Sequence, residues 1–274
     1  MDTLLTYLPF FLGLVATGAV SGVLAGLLGV GGGAIIVPAL ALVLDLLGYD
    51  DAIIQHVAVA SSLAIIIPTG IVSARSHHKR GAVDLRVLRL WAPFILVGTL
   101  IGGLLAGFFS GNVLRVVFGV MVYLVAANIV FDVLRKVIGH LRDSSLSHRA
   151  FASVIGFLSA LMGIGGGSLS VPTLSALGLT MHAAVGTAAA LGVAIAIGGT
   201  IGFIVSGWGV AGLPPFSLGY ISLPAVVAVG VMAGVTAPLG AALAHRLDQK
   251  TLKKVFAVFL VLVGTQMLWK ALVS

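Results

Sequence analysis

Two stretches carry the most pointed chemistry of the chain, "GLLGVGGGAIIVP" from Gly26 to Pro38 and "ALMGIGGGSLSVP" from Ala160 to Pro172, 134 positions apart. Each places three consecutive glycines inside an apolar run: Gly31, Gly32 and Gly33 before Ala34, and Gly165, Gly166 and Gly167 before Ser168. Glycine admits positive φ and close backbone approach. A helix interrupted at such a point leaves amide N–H groups unpaired, which an apolar medium tolerates only beside protein, water or ligand. A helix restarting after Gly33 or Gly167 aims its first amides and its partial positive charge at the break. Those are the donors a small anion needs. Helix packing is the competing explanation, since small residues four apart let helices approach closely, as with Gly18 and Gly22, Gly98 and Gly102, Gly198 and Gly202, or Gly230 and Gly234. Packing accounts for single glycines; a duplicated G-x-G-G-G followed at fixed distance by Val-Pro favours a functional break.

Polar side chains inside apolar runs form a second set of candidates. His56 can carry a proton or hydrogen-bond an anion; equally, it can bond a neighbouring carbonyl near the membrane interface. With a gap of three residues it aligns with Thr187 in the second copy. Gln55, Ser61 and Ser62 share its segment, where hydroxyls can also bond back to the preceding helical turn. Asn128 and Gln266 recur 138 positions apart and suit either ligand contact or an interhelical hydrogen bond. Thr99, Thr200, Thr236 and Ser170 are weaker instances. Asp45 and Asp132 read as interfacial, and His77 with His78 beside Lys79 and Arg80 as a solvated loop, because two adjacent histidines do not make a metal site.

These residues need an apolar scaffold, and the composition supplies one. Of 274 residues, 59% are hydrophobic and only 8% charged; there is no glutamate and no cysteine, and no Asp, Glu, Lys or Arg lies between Arg149 and Arg246. Soluble domains average about 25% charged residues, so the class is an all-α polytopic membrane protein. Ten apolar segments, at about 7–29, 33–48, 52–74, 90–110, 113–134, 150–163, 168–179, 183–206, 220–245 and 252–273, predict about 8–10 membrane helices. The net charge of +7 is spread over short loops, which signals topology rather than nucleic acid. The absence of cysteine removes thiolate metal sites and cysteine nucleophiles. The start, "MDTLLTYLPFF", has no Lys or Arg before its apolar run and is not expected to be a cleaved secretory signal.

Five segments stand on each side of a basic linker, so the expected organisation is a first membrane repeat over 1–134, a linker over 135–149 and a second repeat over 150–274. Gly22 to Leu40 matches Gly156 to Leu174 at Gly22, Leu24, Leu27, Gly29, Gly31, Gly32, Gly33, Val37, Pro38 and Leu40. Shifted by 138, Arg115 falls on Lys253 and Phe118 on Phe256. Lys and Arg collect at 75–89, 135–149 and 246–254, which predicts those loops to be cytoplasmic and both termini periplasmic. "GWGVAGLPPFSLGY", from Gly207 to Tyr220, is placed outside. Five being odd, the repeats are inverted. The segments flanking Gly165–Gly167 reach only roughly 21 and 18 Å against a hydrocarbon core of about 30 Å, so a re-entrant hairpin or a pair of half-helices is expected there; the stretch before Gly31 is long enough to cross.

At these residues the chain resembles the TauE/SafE, or sulfite exporter, family of membrane proteins. The resemblance covers almost the whole chain: both glycine motifs, "HVAVASSLAIIIPTGIVSA", "RGAVDLRVLRLWAPFILVGTLIGGLLAG" and the single basic central loop. It implies export of a small sulfur-containing or organic anion, such as sulfite or sulfoacetate, across the bacterial inner membrane, coupled to the ion gradient. The expected substrate-binding set is Gly31, Gly32, Gly33, Ala34, Gly165, Gly166, Gly167, Ser168, His56, Gln55, Ser61, Thr187, Asn128 and Gln266. His56 is the expected proton carrier. No cofactor, metal or nucleic acid is expected; the partners are the anion, the bilayer and, compatible with the sequence, a second copy in a homodimer.

Other classes fit less well. "GVGGGA", from Gly29 to Ala34, matches a dinucleotide fingerprint, with Asp50 and Asp51 about 20 residues on, but no strand precedes it and no G-K-[ST] follows. Ser168 and His182 are not paired into a hydrolase site by anything in the sequence. A passive anion channel is the strongest rival, since it would share the amide-lined breaks, whereas inverted repeats supply the two-state element of alternating access.

Overall fold

The computed structural model describes residues 2–28, 32–131, 145–244 and 249–273. Gly31, Asp132 and most of the basic linker lie outside the described residues. Ten helices occupy the described chain: α1 (Asp2–Leu28), α2 (Gly33–Leu46), α3 (Asp51–Lys79), α4 (Leu85–Ala106), α5 (Gly111–Phe131), α6 (Ser145–Met162), α7 (Gly167–Ala176), α8 (Met181–Ser206), α9 (Leu223–Ala244) and α10 (Gln249–Val273). A two-stranded antiparallel hairpin, β1 (Ser217–Leu218) and β2 (Ile221–Ser222), precedes α9. Helices α3, α4, α5, α8 and the Lys254–Val273 part of α10 are long and apolar enough to cross a membrane. The protein is a multi-pass, all-α membrane protein.

Local chemistry sets the helix starts. The Asp50 carboxylate accepts from the Ala52 N–H at 2.8 Å, and that of Asp84 accepts from Arg86 and Val87 N–H at 2.9 and 3.0 Å, so acidic N-caps begin α3 and α4. Ser222 caps α9 through the Ala225 N–H. Pro38 and Pro172 each stand at the sixth position of their helix. A proline there has no N–H to return, which frees the carbonyls of Ala34 and Ser168 in the first turns of α2 and α7.

Packing rests on glycine faces. A Cβ at Gly18 would lie 2.9 Å from the Val229 backbone of α9; one at Gly156 of α6 would lie 3.0 Å from Ile95 Cα of α4, and one at Gly103 of α4 2.9 Å from the Gly199 carbonyl of α8. The small-xxx-small pairs expected to pack do so at Gly18 and Gly22, Gly98 and Gly102, and Gly198 and Gly202; Gly230 and Gly234 have open or ordinary surroundings. Helix α3 is the axis, contacting α2, α5, α6, α8, α9 and β2. It is buried almost continuously from Ile53 to Ile66.

The two ends of the bundle are held differently. At the end that carries Arg75–Arg89, the Asp84 N–H donates to Thr187 Oγ1 at 2.9 Å and Trp91 Nε1 donates to His148 Nδ1 at 2.9 Å. At the other end, Arg115, only 2% exposed, pairs with Asp51, and Lys270 pairs with Asp45 at 2.5 Å. Helix α6 is longer than its apolar run predicts, because the polar stretch Ser145–Arg149 continues the helix at this basic end. The segment placed outside from sequence also turns back into the protein: Trp208 and Phe216 are exposed, but Tyr220, Ile221 and Ser222 are buried.

Candidate functional site

The two glycine motifs meet. Helix α2 starts at Gly33 behind a left-handed Gly32 (φ 73°), with no side-chain cap. A Cβ on Gly33 would lie 2.6 Å from the Gly163 carbonyl oxygen and 2.9 Å from Ile164 Cα, so the start of α2 sits directly on the backbone that closes α6. Gly163 is itself left-handed (φ 66°) and packed against Val37 and Val59. The two breaks are therefore not identical in backbone: Gly166, the counterpart of Gly32, is right-handed. Ser62 of α3 donates to the Gly163 carbonyl at 2.7 Å and fixes the junction from the side. Ile66, one helical turn on, reaches toward both Gly33 and Gly165.

Helix α7 starts at Gly167 behind Gly166, again with no side-chain cap. A Cβ on Gly166 would lie 2.5 Å from the Ala188 carbonyl, whereas one on Gly165 would meet only Ile66, at 3.4 Å. The amides of Gly33 and Ala34 in α2 and of Gly167 and Ser168 in α7 precede the first intrahelical acceptor, whereas Ile35 and Ile36 N–H already donate to the Gly32 carbonyl at 2.9 Å. The Ser168 hydroxyl, in a residue 7% exposed, and that of the fully buried Ser170 have no hydrogen-bond partner among the described residues. Buried hydroxyls normally find one. Two capless helix starts and two unpartnered hydroxyls thus lie within a few residues of one junction.

The other expected residues are placed unequally around it. Gln55 is fully buried, with neither amide atom partnered among the described residues, and lies on the α3 face of Val59, Ser62 and Ile66 by helical spacing. His56 faces carbonyls on both ring edges: Nδ1 is 3.0 Å from the Ala52 oxygen, and Nε2 is 3.1 Å from those of Ala106 and Phe109. Its ring stacks on Tyr220 at 4.7 Å, so it ties α3 to the α4–α5 corner and the β-hairpin. Ser61 accepts from the Ser222 N–H at 3.0 Å. Thr187 is committed to Asp84 at the basic end. Asn128 is buried, but its counterpart Gln266 is on the exposed face of α10. Ala34, Gly32 and Gly33 are at the junction; Gly31 lies outside the described residues. Among the described residues no group of three or more His, Cys, Asp or Glu is placed to hold a metal ion.

Sequence reasoning missed Ile66 and Tyr220, because both look like ordinary apolar filling in their segments. Ser62→Ala is expected to lower stability by about 1 kcal/mol, the usual value of one intramolecular hydrogen bond. Thermal unfolding in detergent reads this, and an unchanged midpoint would show that the junction holds without it.

Known proteins similar to this chain are membrane transporters by description. The description "Sulfite exporter TauE/SafE" matches residues 14–267. A probable membrane transporter protein of Haemophilus influenzae is 37% identical over 95% of this chain and 99% of its own length. Probable membrane transporter proteins of Bacillus subtilis and Methanocaldococcus jannaschii are each 26% identical, over 96% and 93% of this chain and 99% and 94% of their own lengths. No solved structure matches the chain.

Proposed function

The chain belongs to the sulfite exporter TauE/SafE family and is a membrane transporter, and from that premise we propose that it exports a small sulfur-containing or organic anion, such as sulfite or sulfoacetate, by alternating access. The carrying observation is the junction of Gly33 with Gly163–Ile164, where two capless helix starts bring unpaired amides together beside the orphaned hydroxyls of Ser168 and Ser170. Helix starts attract anions through their free N–H groups and dipole. In a low-dielectric interior that attraction is stronger than in water. The binding set is Gly31 to Ala34 and Gly165 to Ser168, with the buried Gln55 amide as a further contact.

The helix pairs α1–α2 and α6–α7 belong to two inverted repeats. Asp45, near the end of α2, pairs with Lys270 at the end away from Arg75–Arg89, whereas α7 leads into α8, whose Thr187 bonds Asp84 at the basic end. Re-entry from opposite faces supports a site near the bilayer centre, with the basic loops cytoplasmic and both termini periplasmic in the inner membrane. Tight backbone contact at the junction supports a closed state in a rocking cycle rather than a standing pore. Coupling to the proton gradient runs through His56, whose ring has carbonyls on both edges, so its protonation changes how firmly α3 is tied to the α4–α5 corner.

Ser168→Ala tests the reading. The hydroxyl has no partner among the described residues, so its loss is expected to leave thermal stability unchanged. A hydrogen bond to a charged group contributes about 1.5–3 kcal/mol, so the KM for sulfite uptake into proteoliposomes is expected to rise about tenfold or more. An unchanged KM would remove Ser168 from the site.

A further inference from the structure

A second site lies at the basic end, away from the junction. A cavity of about 320 Å³ opens between the end of α3, the start of α4 and the flank of α8, lined by the apolar Ala74, Val83, Leu85, Leu88 and Ala190 together with Arg75, His78 and Lys79. The three basic residues, at i, i+3 and i+4, share one face of α3. All three are exposed, and none of their side chains has an ion pair or hydrogen bond among the described residues. The one acid in the connecting loop, Asp84, is committed to capping α4. At 1.5 Å per residue the 29 residues of α3 span roughly 43 Å, against about 30 Å of hydrocarbon. Its last turns therefore stand at headgroup depth, while Ala190, well inside α8, reaches toward the acyl layer.

We propose that this cavity holds one anionic phospholipid, its phosphate on Arg75, His78 and Lys79 and an acyl chain along the apolar wall. The pairing of unmatched cations with a nearly wholly apolar lining selects that occupant. A free inorganic anion would leave the wall uncovered, and a zwitterionic lipid would bring its own cation to the rim. Anionic lipid recognition by basic residues beside membrane helices follows the same electrostatics.

Native mass spectrometry of the detergent-purified protein, titrated separately with phosphatidylglycerol, phosphatidylcholine and inorganic phosphate, reads the site directly. Phosphatidylglycerol is expected to bind wild type in preference to phosphatidylcholine, and R75Q/K79Q to weaken it about thirtyfold. Ala190→Leu, which fills the wall and leaves the charges, is expected to weaken it comparably. Arg86→Gln, which removes a cation of the same loop outside the cavity, is expected to leave it intact. If R75Q/K79Q does not fold, Ala190→Leu against Arg86→Gln carries the test alone. Equal binding of the two lipids, displacement of phosphatidylglycerol by equimolar phosphate, or equal losses in R86Q and A190L would each overturn the proposal.

Discussion

Gly166→Ala is expected to reduce anion flux by about tenfold or more, because overpacking a tight site stores about 1–3 kcal/mol of strain. The added methyl would stand 2.5 Å from the Ala188 carbonyl and 3.0 Å from the Gly192 amide nitrogen, and neither is a flexible side chain that can swing aside. Relief therefore requires α7 to move off α8, which shifts the amides of Gly167 and Ser168 that are proposed to hold the anion. Gly33→Ala meets the same obstacle across the junction, at the Gly163 carbonyl. Gly230→Ala, outside the binding set, is the matched control, since its methyl would meet only Ile65, at 4.0 Å. The three variants should insert into membranes alike, with Gly230→Ala keeping near wild-type uptake in proteoliposomes. Wild-type flux through Gly166→Ala would show that the position of α7 does not matter to transport.

Removal of the Asp51 carboxylate should produce the largest loss of stability among surface-reachable changes. Arg115 is 2% exposed and holds Asp51 and Asn112. Breaking a buried pair from one side leaves an uncompensated charge, at about 3–5 kcal/mol. Because the Asp51 side chain is 50% exposed, the low end of that range, about 3 kcal/mol, is expected for Asp51→Ala. The double variant Asp51→Ala/Arg115→Met should recover much of the loss by removing the stranded cation. Thermal unfolding of wild type, Asp51→Ala, Arg115→Met and the double variant in one detergent closes the cycle. If Asp51→Ala alone matches wild type, the pair is not a fastening of the α3 and α5 ends.

Helix positions were legible wherever apolar length or a local signal fixed them. Helix α2 starts at Gly33 and α7 at Gly167, where the triple glycines placed the restarts, whereas α4 starts at Leu85, ahead of the apolar run expected from about 90, because the Asp84 carboxylate caps it. Features that depend on partners distant in sequence were hidden. Nothing near His56 announces Tyr220, 164 positions on, because the return of the β-hairpin into the protein is decided by burial of Ile221 and Ser222 against α3. The 138-residue repeat equated Asn128 with Gln266, yet one is buried and the other exposed, since repeat symmetry fixes the helix but not what packs on each face. Thr187, aligned with His56, is occupied by the Asp84 N–H, a contact that depends on how the α3–α4 loop lies over α8. Arg115 carried a usable signal. A cation at the end that carries Asp45, Asp50 and Asp51 needs a partner, and the structure selects Asp51 among them.

Uptake of radiolabelled sulfite into proteoliposomes, with and without an imposed pH gradient, tests most directly whether the paired breaks form the site of a coupled anion transporter. The account predicts saturable uptake that rises with the gradient, is inhibited by sulfoacetate and is lost in Gly166→Ala. Fast flux that neither saturates nor responds to pH, or equal uptake by wild type and Gly166→Ala, would contradict it.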